Sequence, residues 1–119
     1  MTKPLRRHDL WDDAPIHVSL VRLIADPERF HGRLVRVIGY LVIEFEGDAL
    51  YLHGDDALFR ISANALAVQV TPDMHERKDV LGGYVMLEGV FDPDATGHRG
   101  AFPSGGLVHV RRCVKWSPD

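Results

Sequence analysis

The sequence predicts a mainly β fold, a small sheet curled into a barrel, and three observations carry that prediction. A segment is repeated: Gly32-Arg33-Leu34-Val35-Arg36-Val37-Ile38-Gly39-Tyr40 recurs fifty residues later as Gly82-Gly83-Tyr84-Val85-Met86-Leu87-Glu88-Gly89-Val90. Within each copy apolar side chains fall at alternate positions, Val35 and Val37 in the first and Val85 and Leu87 in the second, the period of a strand with one buried face. Each copy also carries a glycine inside the strand pattern, Gly39 and Gly89, where glycine marks a bulge or a sharp bend.

The remaining elements follow in chain order. Residues 1–15 read as a flexible N-terminal arm, with basic Lys3, Arg6, Arg7 and His8 followed by acidic Asp9, Asp12 and Asp13. Leu10 and Trp11 are the side chains that could pin it to the domain. Ser19 is a helix N-cap, and Leu20, Val21, Leu23 and Ile24 form one apolar stripe of a short helix over 19–26. Asp26-Pro27 ends that helix, and one further turn reaches Phe30 before Gly32. The first long strand runs over 34–46, with Val35, Val37, Leu41, Ile43 and Phe45 on one face. Gly47-Asp48 is a turn, 49–53 the returning strand, 57–61 a single helical turn and 65–70 a third strand. Thr71-Pro72 is a helix-start signal, so 72–79, short and polar, reads as a solvated linker helix or a loop. Strand four covers 84–91. The glycine- and proline-rich connection over 92–106 is long enough to suggest a functional loop. In the last strand, 107–116, Leu107, His109, Arg111, Cys113 and Lys115 alternate with Val108, Val110, Arg112, Val114 and Trp116.

Composition bounds the function. A chain of 119 residues, 45% apolar, supports a single domain over 16–119 with one core. A net charge of −3 supplies no global basic field for a polyanion. The one cysteine, Cys113, excludes an internal disulfide and a cysteine zinc cage, and reads as a small buried hydrophobe. Acidic residues interrupt the N-terminal region, so no signal peptide is expected, and the apolar run from 34 to 45 is too short to span a membrane. A cytoplasmic location is the expectation.

The five strands, the first long and bent at Gly39, the fourth led by Gly82 and ending at Gly89, with a long loop before the fifth, resemble an OB-fold over about residues 32–116. The pieces Phe45-Glu46-Gly47-Asp48-Ala49-Leu50-Tyr51-Leu52 and Gly97-His98 are similar to small uncharacterised bacterial single-domain OB-fold proteins. The resemblance implies a ligand face on strands two and three, helped by the loops joining strands one to two and four to five. It also implies a barrel-closing helix between strands three and four. Here that segment, 72–79, is short and polar, and the amphipathic helix precedes strand one.

Candidate chemistry is sparse. The seven histidines fall on at least six separate elements with no metal-ligand spacing, so no metal and no cofactor are expected. No motif activates a nucleophile, so an enzyme is not expected, and a small enzyme of unknown reaction is the second alternative. The favoured reading is a non-enzymatic module that binds a protein partner in an inhibitor, immunity-type or accessory-subunit role. Its candidate contacts are Tyr40, Tyr51, His53, His98, Arg99, Phe102 and Arg111, because aromatic and arginine side chains make interface anchors. The first alternative is single-stranded nucleic acid or oligosaccharide on the barrel face. Tyr40, Tyr51 and Phe59 would then be stacking platforms, and Arg36, Arg60, Arg99, Arg111 and Lys115 would contact phosphates. Glu44, Glu46, Asp48, Asp55 and Asp56 crowd that region and weigh against a polyanion. The sequence names neither the partner nor the oligomeric state.

Overall fold

A computed structural model describes residues 14–44 and 47–118. The fold is mainly β: a closed barrel of five strands, compatible with an OB-like fold, with one extra strand and a few short helices. The elements are β1 (Ile16–His17), α1 (Leu20–Ala25), α2 (Pro27–Phe30), β2 (Leu34–Val42), β3 (Ala49–Tyr51), α3 (Gly54–Leu58), β4 (Ala65–Val68), α4 (Pro72–Glu76), β5 (Gly83–Asp92) and β6 (Gly106–Lys115). Single 3₁₀ turns lie at Ser62–Asn64 and His98–Gly100. The strand order is β1-β2-β3-β4-β6-β5, and an additional β2–β5 pairing closes the barrel. β4 and β6 run parallel; the other barrel pairings are antiparallel.

The two copies of the repeat are neighbours. β2 and β5 pair antiparallel over eight registered positions, from Leu34↔Val90 to Leu41↔Gly83. The leading glycines are equivalent in conformation as well as in position: Gly32 has φ +74° and Gly82 φ +65°, the left-handed region that glycine enters without a Cβ clash. The inner glycine of β2 meets a close approach of the next strand. A Cβ on Gly39 would stand 2.7 Å from Leu50 Cγ and 2.8 Å from the Tyr51 carbonyl oxygen. Gly89 lies where the β5–β6 register shifts, as its position in the repeat suggests.

Val35, Val37 and Leu41 of β2, Leu50 of β3, Leu66 and Val68 of β4, and Val85, Leu87 and Phe91 of β5 fill the barrel. Leu20 and Leu23 of α1, Phe30 of α2 and Met74 of α4 join the same core. Ser19 caps α1, its hydroxyl accepting from the Arg22 N–H at 3.2 Å, and Thr71 caps α4 in the same way. The outward side chains of β3 and β4 build a second, smaller cluster: Ala49, Tyr51, Ala65 and Ala67, roofed by Phe102 from the 92–106 connection.

Several sequence expectations change in detail. β1, a two-residue strand parallel to β2, has too little length to leave a periodic signal. The stripe of α1 excludes Val21, which is 52% exposed. The described part of the first long strand ends at Val42, and the returning strand stops at Tyr51. The helical turn expected at 57–61 begins earlier, at Gly54. The linker helix stops at Glu76 and is not wholly solvated, because Met74 and the following Val80 are buried. The simple alternation expected in the last strand fails. Leu107, Val110 and Cys113 face the core, because the register shift and a left-handed His109 at φ +49° place extra residues in β6. Leu10 and Trp11, like the rest of 1–13, lie outside the described residues. No helix among the described residues is long and apolar enough to cross a membrane.

Candidate functional site

The candidate site lies on the rim of the barrel, at the face of β3 and β4. An open cleft of about 510 Å³ is lined by Glu44 and Gly47 from the β2–β3 connection, Tyr51 of β3, Arg60 and Ser62 after α3, and Ala101 and Phe102. Its floor is aromatic: Tyr51 and Phe102 meet edge to face with ring centroids 6.2 Å apart. Both rings are buried, at 6% and 4% exposure, so they form a wall rather than free platforms. Burial pushes the Tyr51 hydroxyl pKa up, with Glu44 adding to the shift. Burial likewise raises Asp48, against the Glu44 N–H that donates to its Oδ1 at 3.0 Å.

Beside the cleft stands a ridge of apolar side chains. Leu58 is 73% exposed, Phe59 72% and Ile61 43%. Their exposure is built into the local backbone. Asp56 accepts the His53 N–H on one carboxylate oxygen at 3.1 Å and the Asn64 side-chain amide on the other at 3.1 Å. The Phe59 and Ile61 N–H groups donate to the Asp55 and Asp56 carbonyls at 3.0 and 2.8 Å. Arg60, between them, is held at φ +55°, a conformation that costs a non-glycine residue about 1–2 kcal/mol. Its guanidinium reaches back to Glu44 at 3.3 Å across the cleft mouth. A turn locked by this many hydrogen bonds presents its apolar side chains outward in a fixed arrangement.

The sequence-selected residues distribute unevenly around this site. Tyr51 and Phe102 form its floor. Tyr40 is half-buried, edge to face with Tyr84 at 5.3 Å and packed against Gly54 of α3. His53 immediately precedes α3 and is exposed. His98 and Arg99 are exposed on the 3₁₀ turn of the 92–106 connection, Arg99 at φ +54°. Arg111 lies elsewhere, in a buried ion cluster between β2, β5 and β6. There Glu88, with a side chain only 3% exposed, accepts from Arg36 Nε at 2.7 Å and from Arg111 Nε at 3.0 Å. Burial opposes ionisation of Glu88, but the bonds and charges of Arg36 and Arg111 outweigh it and hold the carboxyl below its ordinary range. Arg36 Nη1 also lies 2.9 Å from His17 Nε2; a guanidinium only donates, so Nε2 accepts.

Three features escaped the linear reading. Leu58 and Ile61 sit in an apolar run, Ala57-Leu58-Phe59-Arg60-Ile61, whose composition signals a helical turn and not the exposure of its side chains. Glu88 occupies an outward position of a strand, where a glutamate ordinarily meets water. His31, about sixty residues away in sequence, brings a ligand atom within 4.8 Å of those of Asp92 and Asp94. Asp92 Oδ1 there accepts the Asp94 N–H at 2.9 Å, a turn bond that accounts for the approach of the two acids. Cys113 is buried and burial pushes its thiol pKa up, away from the reactive thiolate.

No protein-family model, no curated protein and no solved structure matches this chain, so the site rests on its own geometry.

Proposed function

We propose that this chain is a non-enzymatic, OB-like binding module that docks a protein partner on Leu58, Phe59 and Ile61 and the adjoining cleft. The observation that carries the reading is the exposure of Leu58 and Phe59, each above 70%, on a turn that hydrogen bonds hold in place. Large apolar side chains fixed in water forgo about 1.5–3 kcal/mol of burial each, which a partner surface recovers. Rigid aromatic and aliphatic anchors beside a concavity are how interface hot spots are built. Glu44 lines the cleft and Asp55 stands exposed on α3, and these acids favour a partner whose apolar pocket has a basic rim. Such a partner fits an inhibitor, immunity-type or accessory-subunit role.

Two features weigh against single-stranded nucleic acid. Arg36 and Arg111, two of the cations a phosphate backbone would use, are engaged by Glu88. The β3–β4 face, where an OB-fold ligand would stack, is roofed by the chain's own Phe102.

The test is comparative capture from a cell that natively makes the protein. Wild type and a Leu58→Ser, Phe59→Ser double variant are used as baits, and bound proteins are quantified by mass spectrometry. A partner enriched at least about tenfold by wild type and lost with the variant supports the reading, two hot-spot side chains amounting to 2 kcal/mol or more. Capture indifferent to the double substitution rejects the ridge. Salt-sensitive, sub-micromolar binding of a labelled oligonucleotide at low salt would replace it with the nucleic-acid reading.

A further inference from the structure

We infer a second interaction surface, the outer face of β2, β5 and β6, whose occupant is a second copy of this chain. The pairing registers lay out three rows on that face. One row is Ile38, Met86 and Val114; on one side of it lie Tyr40, Tyr84 and Trp116, and on the other Arg36, Glu88 and Arg112. Trp116 continues the row past the end of β6, its N–H donating to the Tyr84 carbonyl at 2.9 Å. The face is open around its centre: Ile38 is 41% exposed, Tyr84 41% and Trp116 45%, and Arg112 is exposed, while Met86 and Glu88 in the middle strand are buried among them. The Leu58, Phe59 and Ile61 ridge is on other elements, α3 and the turn after it; only Gly54 at the start of α3 borders the aromatic row, its N–H donating to the Tyr84 hydroxyl at 3.1 Å.

The order of the rows selects the occupant. A two-fold axis running along the apolar row would stack two such faces with strand directions reversed. Ile38 and Val114 then meet their own copies on either side of the buried Met86, and each basic row lies over the other copy's aromatic row. Arg112 comes over the partner copy's Trp116, and the symmetry makes this contact twice. A guanidinium over an indole face is the strongest of the side-chain cation–π pairs. The cation row is also net positive, since Arg36, Arg111 and Arg112 surround the single carboxylate of Glu88. A parallel stacking would instead set cation rows against each other. An isologous pair therefore satisfies both outer rows at once.

The size of the face sets the strength. Three strands and five positions along each span on the order of 10 by 14 Å, so with side chains a few hundred Å² per copy would be covered. That lies below the roughly 800 Å² per partner of a stable complex, so the pair is weak and concentration-dependent.

Sedimentation equilibrium of the full chain between about 10 μM and 1 mM tests this, a range in which such small interfaces associate. The expected result is a mass rising from 13.4 kDa towards twice that value. Arg112→Glu, at an exposed position that does not endanger the fold, and Ile38→Glu should each hold the mass at that of the monomer. Arg112→Ala should weaken association about fivefold to thirtyfold, the effect of losing two exposed cation–π contacts. Leu58→Ser with Phe59→Ser should leave association unchanged, which separates this face from the ridge. A monomer throughout the range, or a dimer that survives Arg112→Glu, overturns the inference, as does a dimer abolished by the ridge variant.

Discussion

Glu88→Gln is the substitution whose outcome the structure specifies most closely. The carboxylate of Glu88 accepts from Arg36 through Nε at 2.7 Å and Nη2 at 2.5 Å, and from Arg111 through Nε at 3.0 Å. Glutamine keeps the shape but not the function. Its amide oxygen can accept from one guanidinium, while its NH₂ turns a donor towards the other. Removing one partner of a fully buried ion pair costs about 3–5 kcal/mol, because the remaining charge is left without compensation. Arg36 is 28% exposed and Arg111 14%, so water recovers part of that loss. The expected destabilisation is about 2–3 kcal/mol, a fall in Tm on the order of 10 °C for a domain of this size. Urea unfolding followed by circular dichroism reads it as a lower midpoint at unchanged slope. The pH dependence supplies the second arm. The folded pKa of Glu88 lies below its ordinary 4.5, so its contribution is fully present above that value and is lost as the pH falls through the depressed folded pKa. The gap between wild type and Glu88→Gln should therefore narrow as the pH is lowered from 5 towards 3. A variant within about 0.5 kcal/mol of wild type at pH 7, or a gap constant with pH, would refute the view that two arginines keep this carboxylate charged inside the sheet.

Two further substitutions test the backbone. Gly39→Ala places a methyl 2.7 Å from Leu50 Cγ and 2.8 Å from the Tyr51 carbonyl, so β2 and β3 must part; a loss of about 2–3 kcal/mol is expected from thermal unfolding. Gly83→Ala, where a Cβ meets nothing within 4 Å, is its control and should change stability by less than about 0.5 kcal/mol. Arg60→Gly relieves the left-handed strain at φ +55° and gives up an exposed ion pair with Glu44. A net gain of about 0.5–1 kcal/mol is expected in urea melts, and a loss instead would show that the Arg60 side chain supports the turn.

The local rules held where one residue decides one conformation. The repeat with its paired glycines, the strand period, and the caps at Ser19 and Thr71 were all legible, because alternation, φ preference and capping chemistry act within a few residues of chain. They gave the mainly β, closed barrel and the short N-terminal helix. They did not give β1, since two residues carry no period, nor the inward turn of Val110, since a bulge cancels the alternation that periodicity reads.

The site depended on contacts between distant segments. Phe102 is buried because Ala49, Ala65 and Ala67, from two other strands, leave space beneath it. Arg111 is engaged because β5 brings Glu88 within 3.0 Å, and Arg36 reaches the same carboxylate from β2. Leu58 and Phe59 stand in water because Asp56 ties their turn to His53 and Asn64, which prevents the chain from folding them inward. Sequence alone determined the barrel, through forces that act over a few residues. Which side chains are left exposed was decided only when the barrel closed, because exposure is a property of everything else that packs around a residue.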